Sequence, residues 1–371
     1  MRRQYEVLHT VGTGGMGTVY RARLRGAGDF EKDVALKILN ESEEDDAEDI
    51  ARRLRDEARI LGLIRHRAVV HVDGLVRLGG RWTVVMEYIH GVDLQQLATL
   101  VGAVPVGPAL EIVGEVASAL HIAYHTIGPD GRELRLLHRD IKPANVRLTP
   151  VGEVKVLDFG VARADFDNRE AETRQGGFGS MGYVPQERID GVDVPAGDVY
   201  SLGVVLYEML SGERYGQAYL VSKKHAEKLE EKLARLGERG VSEATRELLR
   251  SMLAFEPDGR PTAREVERRA VQLRAEVPGD SLRDWAEERV SKLAEDAQTG
   301  LTAPGLTGEI LFEDGSSSGA VRERVVTPPP PVGTPLAVRL LGALLVVLLL
   351  VLAGLVLVGT GLGGILLGRY L

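Results

Sequence analysis

The octapeptide His138-Arg139-Asp140-Ile141-Lys142-Pro143-Ala144-Asn145 combines a carboxylate, an ammonium and an amide within a few residues. Asp140 is suited to accept or orient the proton of an attacking hydroxyl, and the Asn145 amide offers a hard oxygen ligand for Mg²⁺. Thirteen residues after Asn145 comes Asp158-Phe159-Gly160, which adds a second carboxylate at a point where the glycine lets the chain turn away. Because an Asp-rich loop is most often only a turn or a helix cap, the interpretation depends on the other motifs of the chain.

A glycine-rich run from Gly12 to Gly17 precedes these motifs. Its glycines let backbone N–H groups approach phosphates without obstruction by side chains, although such a run is also typical of a plain hairpin turn. A dinucleotide-binding fold would need a helix directly after the glycines, whereas Val19 and Tyr20 continue as a strand. The pattern is therefore compatible with a phosphate-covering loop between two strands.

Two oppositely charged residues follow at a suggestive distance. Lys37 ends the strand-like run Val34-Ala35-Leu36-Lys37, and Glu57 comes 20 residues later in a predicted helix over 51–65. The carboxylate could orient the ammonium by an ion pair. Each residue taken singly is as well explained as an exposed strand lysine or a solvated helix charge.

In order and spacing these motifs resemble those of protein kinases over about Tyr5 to Ala275, and within that superfamily the bacterial kinases of the eukaryotic-like Ser/Thr class. The resemblance implies an α+β, bilobal protein kinase fold, with a small β-rich N-lobe that holds one main helix (1–88) and a larger helical C-lobe (89–275). Helical periodicity predicts helices at 109–125, 197–211 and 243–254 of that larger lobe. The resemblance further implies transfer of the ATP γ phosphoryl group to protein Ser or Thr hydroxyls, with Mg²⁺ or Mn²⁺ as cofactor.

The same resemblance implies roles for five catalytic residues. Asp140 is the base or orienter, while Lys142 and Lys37 neutralise phosphate charge. Lys142 is also the Ser/Thr-specific signature of the family. Glu57 is the partner of Lys37, and Ser180 contacts Asp140 and frames the target residue.

The resemblance also implies a nucleotide site between the lobes, with Asn145 and Asp158 as the metal ligands. Met86 is expected to line the back of the adenine pocket, and the backbone from Glu87 to Tyr88 is expected to offer it hydrogen bonds. The residues expected to bind the nucleotide are Val11, Gly12, Thr13, Gly14, Gly15, Gly17, Val19, Ala35, Lys37, Met86, Glu87, Tyr88, Asn145 and Asp158.

The segment from Asp158 to Glu187 resembles an activation loop. Thr173 carries its only hydroxyl before the glycine-rich close, and Arg139 resembles the basic residue that grips a phosphorylated loop threonine in related kinases. We therefore expect Thr173 and Arg139 to be regulatory. The competing interpretation is a plain solvent-exposed threonine.

Three further residues are expected to be structural. Glu187 is expected to pair with Arg260, and Asp198 to brace the backbone of the catalytic loop. Two departures from the family pattern stand out. Pro185-Gln186-Glu187 replaces the usual Ala-Pro-Glu, and Arg147 lies where relatives place an aliphatic residue beneath the adenine. A guanidinium there is awkward unless its stem packs and its head reaches water.

Composition excludes several other classes of site. Lys plus Arg total 46 against 54 Asp plus Glu, a net charge of −8, which argues against nucleic acid as a partner. The absence of Cys excludes disulfides, thiolate metal sites and cysteine nucleophiles. The amino terminus has basic residues but no apolar run behind them, so it does not predict a secretory signal.

The C-terminal part predicts a membrane anchor. A helical extension (276–298) is followed by a disordered linker rich in Pro, Gly and Ser (299–336) and a transmembrane helix (337–368). Arg322, Arg324 and Arg339 precede the uncharged run of this span, Leu340 to Gly368, and only Arg369 follows it. This distribution predicts a single-pass protein of the inner (cytoplasmic) membrane with its kinase domain in the cytoplasm. Small residues spaced four apart in the span would permit a homodimer. A buried core helix is the alternative interpretation of the apolar stretch.

Two other functions stay open from the residues alone. A small-molecule phosphotransferase would share the roles of Asp140 and Asn145, but it gives no reason for the long loop from Asp158 to Glu187. A non-catalytic scaffold with a kinase fold would bind nucleotide without transferring phosphate. The expected partners are proteins that carry Ser or Thr targets.

Overall fold

A computed structural model describes residues 3–14, 17–27, 29–40, 60–159, 181–217, 219–299 and 306–314. The chain divides into two units, 1–316 and 317–371, and all described residues belong to the first. The predicted transmembrane helix and residues 51–59 of the helix predicted over 51–65 lie outside the described residues.

The N-lobe is built on an antiparallel sheet. Its strands are β1 (Gln4–Gly14), β2 (Gly17–Arg25), β3 (Glu31–Leu39), β4 (Val72–Leu78) and β5 (Arg81–Glu87), in the spatial order β4-β5-β3-β2-β1. Alternate residues point to one face, so that Tyr5, Val7, Leu36 and Leu78 are buried together in a core of their own. The central strand β3 therefore has a fixed register against both neighbours.

The C-lobe begins with a two-residue strand, β6 (Val92–Asp93), and is mostly helical. Its described helices are α1 (Leu94–Leu100), α2 (Val106–His125), α3 (Gln186–Ile189), α4 (Pro195–Ser211), α5 (Ser222–Glu238), α6 (Glu243–Met252), α7 (Ala263–Glu276) and α8 (Leu282–Thr299). The helices α2 and α4 cover those predicted at 109–125 and 197–211, and α6 matches the one predicted at 243–254 except that it ends at Met252. The β-rich N-lobe and the helical C-lobe confirm the predicted bilobal kinase fold.

Two apolar helices form the centre of the C-lobe. Helix α2 buries residues on all its faces, against α7 and α4, and α4 is buried over nearly its whole length. Helix α2 is also long and apolar enough to cross a membrane, but two thirds of its apolar window is buried within the protein, as in a core helix. The residues that start two of the C-lobe helices are local signals: Asp93 caps the N-terminus of α1, and Thr262 with Glu265 forms a capping box on α7.

A small sheet carries the catalytic octapeptide to the interface between the lobes. Strands β6, β7 (Val146–Leu148) and β8 (Val154–Val156) pair antiparallel, and a 3₁₀ turn over Pro143–Asn145 leads directly into β7. Leu157 donates its backbone N–H to the Asn145 carbonyl at 2.8 Å. This bond ties the octapeptide to the strand that ends at Asp158.

The segment 306–314 differs from the disordered linker predicted over 299–336. Strand β9 (Ile310–Phe312) pairs antiparallel with β1 and becomes the sixth strand of the N-lobe sheet. Composition suggested too little apolar surface for order, but Leu306 and Leu311 pack against the N-lobe core. The linker prediction is therefore wrong for this short piece, because the unpaired edge of β1 supplies backbone partners that composition does not show.

Candidate active site

Two side chains of the catalytic octapeptide converge on the carboxylate of a third. Lys142 donates from Nζ to Asp140 Oδ2 at 2.8 Å, and Asn145 donates from Nδ2 to the same oxygen at 3.0 Å and to the Asp140 carbonyl at 2.8 Å. The 3₁₀ turn brings Asn145 back beside Asp140, five residues earlier in the chain. Both Asn145 donor bonds use the amide nitrogen, which fixes the direction of its Oδ1.

The fully buried His138 makes hydrogen bonds that hold this loop in place. The His138 backbone N–H donates to Asp198 Oδ2 at 2.7 Å, its Nδ1 accepts from the Asp140 N–H at 3.3 Å, and its Nε2 lies 2.9 Å from the Leu157 carbonyl. Since Nδ1 accepts and Nε2 faces a carbonyl, the proton of the neutral imidazole is on Nε2. Burial lowers the pKa of His138, so the ring is neutral near pH 7.

The second carboxylate faces a lysine that comes from the other lobe. Lys37 on β3 donates from Nζ to Asp158 Oδ1 at 2.7 Å. Burial by itself would raise the pKa of Asp158, but the Lys37 ammonium outweighs it and the net effect lowers that pKa. Asp158 has a φ of 51° and Arg139 a φ of 65°, both in the left-handed region that is costly for residues other than glycine. Strain of this kind is concentrated at functional sites.

The glycine-rich run joins β1 to β2 as a hairpin, with Gly14 opposite Gly17. Gly17 has a φ of 154°, and a Cβ on it would lie 2.2 Å from the Ile38 carbonyl oxygen on β3. Side chains added at Gly12 or Gly14 would meet nothing within 4 Å. Internal packing therefore explains Gly17, whereas the open space at Gly12 and Gly14 fits a ligand that approaches the backbone closely.

The expected adenine pocket is lined by strands on both sides of β3. Ala35 pairs with Met86, and Lys37 pairs with Val19 across the β2 side. Val11 lies at an irregularity of the β1–β2 register, between Thr10 and Gly12. The apolar side chains among them, Val11, Val19, Ala35 and Met86, are buried or half-buried.

Part of the segment expected to offer hydrogen bonds to the adenine, Glu87 to Tyr88, already makes hydrogen bonds within the protein. The Glu87 backbone N–H already donates to the His71 carbonyl at 2.9 Å. Its carboxylate accepts from Lys155 Nζ at 2.8 and 3.1 Å and from the His71 N–H at 2.7 Å. The Glu87 N–H and side chain are thus engaged within the protein, so a nucleotide would use other backbone groups of this segment.

The Arg147 guanidinium has a backbone partner within the protein. Arg147 on β7 is half-buried and donates to the Gly91 carbonyl from Nη2 at 2.6 Å and from Nε at 3.2 Å. Burial lowers the pKa of Arg147, and Asp93 and Tyr88 act against this shift. The backbone carbonyl and the nearby Asp93 charge therefore hold the guanidinium inside the protein.

The anchor expected after the loop is a buried, bidentate ion pair. Arg260 donates from Nη1 to Glu187 Oε1 at 2.6 Å and from Nη2 to Oε2 at 3.0 Å. Arg260 also donates to the carbonyls of Ala254 and Phe255. Gln186, which stands in place of the usual proline, donates from Nε2 to the Phe255 carbonyl as well. The departure at Gln186 thus adds a contact to the anchor.

Four predicted site residues lie outside the described part of the chain: Gly15, Glu57, Thr173 and Ser180. The roles proposed for Glu57 as partner of Lys37, and for Ser180 as neighbour of Asp140, stay predictions. Arg139, the expected partner of a phosphorylated Thr173, has its Nε 2.8 Å from Asp193 Oδ2.

The described residues fit magnesium and a triphosphate. Asn145 supplies one amide oxygen and Asp158 one carboxylate, while Mg²⁺ commonly takes its remaining ligands from water and substrate phosphates. Consistent with so small a donor set, the described ranges contain no cluster of three or more His, Asp or Glu side chains suited to a metal ion. When bound, ATP would supply the γ phosphoryl group, and a divalent ion held by Asn145 and Asp158 would supply positive charge beside its phosphates.

Several residues at the site were missed by sequence reasoning. Lys155 holds Glu87, and Arg188 and Asp193 approach the catalytic loop from α3 and the turn after it. Nothing in their local sequence separates them from ordinary surface charges. The only signal was proximity in the chain to Glu187 and Asp198, two residues already singled out.

Comparison with known proteins gives the same picture. The family model described as protein kinase domain matches residues 5–270. The chain is 34% identical over 216 residues to the tyrosine-protein kinase MasK of Myxococcus xanthus, which covers 57% of this chain and 33% of that protein. It is 38% identical over 210 residues to the probable serine/threonine-protein kinase CPE1738 of Clostridium perfringens, covering 56% of this chain and 29% of the relative.

Serine/threonine-protein kinase PknA of Mycobacterium tuberculosis is 36% identical over 219 residues, which is 57% of this chain and 47% of PknA. The chain thus spans less than half the length of these curated relatives. The family model, in contrast, covers well over half of the chain. The chain therefore belongs to the protein kinase family.

Proposed function

We propose that this protein transfers the γ phosphoryl group of ATP to Ser or Thr hydroxyls of other proteins. One observation carries the proposal: Asp140, Lys142 and Asn145 converge on one side of the cleft, and Lys37 reaches Asp158 across it at 2.7 Å. Phosphoryl transfer needs little covalent help from an enzyme, but it does need positioned charge around the γ phosphate. The site holds two ammonium groups and two carboxylates in that arrangement.

The chemistry divides among the residues by charge and direction. Asp140 orients the target hydroxyl and accepts its proton, while Lys142, bonded to the same carboxylate, brings positive charge to the place where phosphate charge develops. Lys37 sits at the base of the glycine hairpin, where it neutralises phosphate charge. Asn145 and Asp158 present the oxygens for the metal ion.

Serine and threonine are the proposed targets because Lys142 stands in the Ser/Thr-specific position of the family. The tyrosine-protein kinase among the relatives makes this a point to test directly. Phosphoamino-acid analysis of a labelled protein substrate should give phosphoserine or phosphothreonine. Phosphotyrosine as the main product would refute the assignment.

The decisive experiment uses the full chain in detergent micelles with labelled ATP and Mg²⁺. Wild type should label itself and an added protein substrate, and Asp140→Asn should lose both by a factor of at least about 100. Asp130→Asn, which changes an exposed acidic residue in a turn, is the matched control and should label as wild type does. Label in a soluble metabolite alone would favour a small-molecule phosphotransferase, and nucleotide binding without label would favour a scaffold.

We further propose that the chain is anchored in the inner membrane by 337–368 with its kinase domain in the cytoplasm, and that it phosphorylates its own activation loop at Thr173. The uncharged run from Leu340 to Gly368 and the arginines before it support the anchor. Membrane fractionation should find the full chain in the membrane and a chain that ends at residue 336 in the soluble fraction. A phosphosite map after incubation with ATP and Mg²⁺ should contain Thr173, and a map without it would refute that part.

The homodimer stays a separate proposal. It depends on small residues spaced four apart in the same span, Gly359 with Gly363 and Gly364 with Gly368. Crosslinking of wild type in membranes, compared with a Gly363→Leu variant, would test it. Equal crosslinking of the two proteins would contradict pairing through these glycines.

A further inference from the structure

A cluster of four charged side chains lies behind the catalytic loop. Asp198 on α4 accepts from the backbone N–H groups of His138 at 2.7 Å and Arg139 at 2.8 Å. Arg188 at the end of α3 donates from Nη2 to Asp198 Oδ1 at 3.1 Å and from Nε to Asp193 Oδ1 at 2.8 Å. Asp193 in turn lies against Arg139, with its Oδ2 2.8 Å from Nε.

Asp193 thus joins two arginines that approach from different parts of the chain. The side-chain Nε–H of Arg139 is not aligned with the Asp193 oxygen, so this contact is an ion pair rather than a hydrogen bond. Two arginines and two aspartates give a cluster with no net charge. An anion that approached Arg139 would therefore compete with a carboxylate that is already in place.

Burial makes this cluster hard to rearrange. The side chains of Arg188 and Asp198 are only 8% and 4% exposed. A Cβ on Gly197 would lie 2.8 Å from Arg188 Nη2, so the guanidinium occupies space that a glycine leaves open. The position of Arg188, and through it that of Asp193, is therefore fixed by packing as well as by charge.

The residue that this cluster holds is strained. Arg139 has a φ of 65°, and it directly precedes Asp140. Asp198 restrains its backbone N–H and Asp193 restrains its side chain. A strained residue persists only when its surroundings hold it, and a displacement of about 1 Å in a catalytic group can cost roughly 100-fold in rate.

We propose that Asp193 is a positioning residue, whose carboxylate holds Arg139 and so sets Asp140 before the activation loop carries any phosphate. This inference depends on the proposed kinase function and refines it. An enzyme that phosphorylates its own loop has to be competent beforehand, and a carboxylate of its own supplies the counter-charge for Arg139 at that stage. A phosphate on Thr173 would then compete with Asp193 for the same guanidinium.

The test compares variants of the full chain in detergent micelles after phosphatase treatment. Asp193→Asn should lower kcat on a protein substrate by about 10- to 100-fold. The KM for ATP should change less than about twofold, because Asp193 contacts Arg139 and Arg188, which are not among the residues expected to bind the nucleotide. Asp190→Asn, an exposed acidic residue on the same turn, is the matched control and should keep the kcat of wild type. Asp193→Glu should recover part of the loss.

Two further variants separate positioning from simple loss of structure. In an Arg139→Gln background, Asp193→Asn should lower kcat by less than about twofold, since its partner is already absent. Thr173→Ala should keep the phosphatase-treated rate of wild type. The inference would be overturned if the effects of Arg139→Gln and Asp193→Asn on kcat were fully additive. It would also be overturned if Asp193→Asn lowered kcat only as much as it lowered the folded fraction, or if it left kcat unchanged. Absence of labelling in wild type would instead refute the proposed kinase function itself.

Discussion

At the scale of single residues, the structure separates glycines and charges that serve folding from those that serve a ligand. Gly17 is needed because β3 passes directly over it, and Gly12 has open space around the position of a side chain. The ion pair of Glu187 with Arg260 is buried, while in that of Glu267 with Arg264 the arginine side chain is 54% exposed. These contrasts give matched pairs of substitutions.

The glycine pair predicts opposite effects on stability and on nucleotide binding. Gly17→Ala should lower the free energy of unfolding by about 1–3 kcal/mol, because alanine would be strained at a φ of 154° and would collide with the Ile38 carbonyl. Gly12→Ala should leave stability within about 1 kcal/mol of wild type and raise the KM for ATP several-fold. Chemical denaturation and ATP titration of the rate measure the two effects. Equal stability losses in both variants would contradict the distinction.

The ion pairs predict a difference that depends on burial. Glu187→Ala should cost about 3–5 kcal/mol of unfolding free energy, because it leaves the Arg260 charge buried without a partner. Glu267→Ala should cost less than about 1 kcal/mol, since its partner Arg264 stays hydrated. Urea unfolding of the two variants is the measurement. A small effect of Glu187→Ala would show that the anchor adds little to stability.

At the scale of secondary-structure elements, strand β9 is the main departure from the predicted organisation. It lies beyond the residues 5–270 that the family model matches, yet it completes the N-lobe sheet on the edge of β1. The Val7 N–H donates to the Glu309 carbonyl at 2.9 Å, and the Gly80 N–H donates to Asp314 Oδ2 at 3.0 Å. The strand therefore also restrains β1, which leads into the glycine hairpin.

Substitutions on β9 should affect stability according to the face they occupy. Leu311→Ala removes a side chain that packs on the N-lobe core and should cost about 1–2 kcal/mol, less than for a fully buried leucine. Ile310→Ala is the control, because Ile310 is 50% exposed, and should change stability by less than about 0.5 kcal/mol. Hydrogen exchange should also become faster at the Val7 amide in Leu311→Ala. Unchanged exchange there would mean that β9 does not protect β1 in solution.

At the scale of the whole molecule, the two lobes have separate hydrophobic cores, and charged residues meet in the cleft between them. The C-terminal extension contacts both lobes, since α8 packs on α2 in the C-lobe and β9 pairs with β1 in the N-lobe. Histidines that are buried or half-buried occur in both lobes. Burial lowers the pKa of His9 in the N-lobe and of His66, His121, His138 and His225 in the rest of the described chain.

These histidines predict that the protein is destabilised by mild acid. In the unfolded chain they bind protons near pH 6.5, while in the folded protein they bind them only at lower pH, so stability is complete above pH 6.5 and falls as the pH drops below it. For the fully buried His138 the loss is on the order of 1 kcal/mol per pH unit. Urea unfolding between pH 7.5 and 5.5 measures the slope.

Two variants identify the source of that slope. His138→Gln should make the pH dependence shallower, and His71→Gln, which changes a side chain that is 63% exposed, should leave it as in wild type. Stability that is constant or rises as the pH falls from 7.5 to 5.5 would contradict the prediction. If the unfolding free energy depended on pH equally in wild type and His138→Gln, the other histidines would be the cause of the pH dependence.

The sequence alone determined the family, the bilobal fold and the residues of the catalytic loop, because spaced motifs such as Asp140 with Asn145 and the run at Asp158 are local patterns that few folds share. It also determined the long apolar helices, whose periodicity is local. Only the tertiary structure decided which partners the charged side chains contact: Lys37 contacts Asp158, Arg147 contacts the Gly91 carbonyl, and Asp193 contacts Arg139. It alone placed β9 on the edge of β1. The physical reason is that ion pairs and strand pairing join residues far apart in the chain, and their partners depend on distances and burial that no local pattern records.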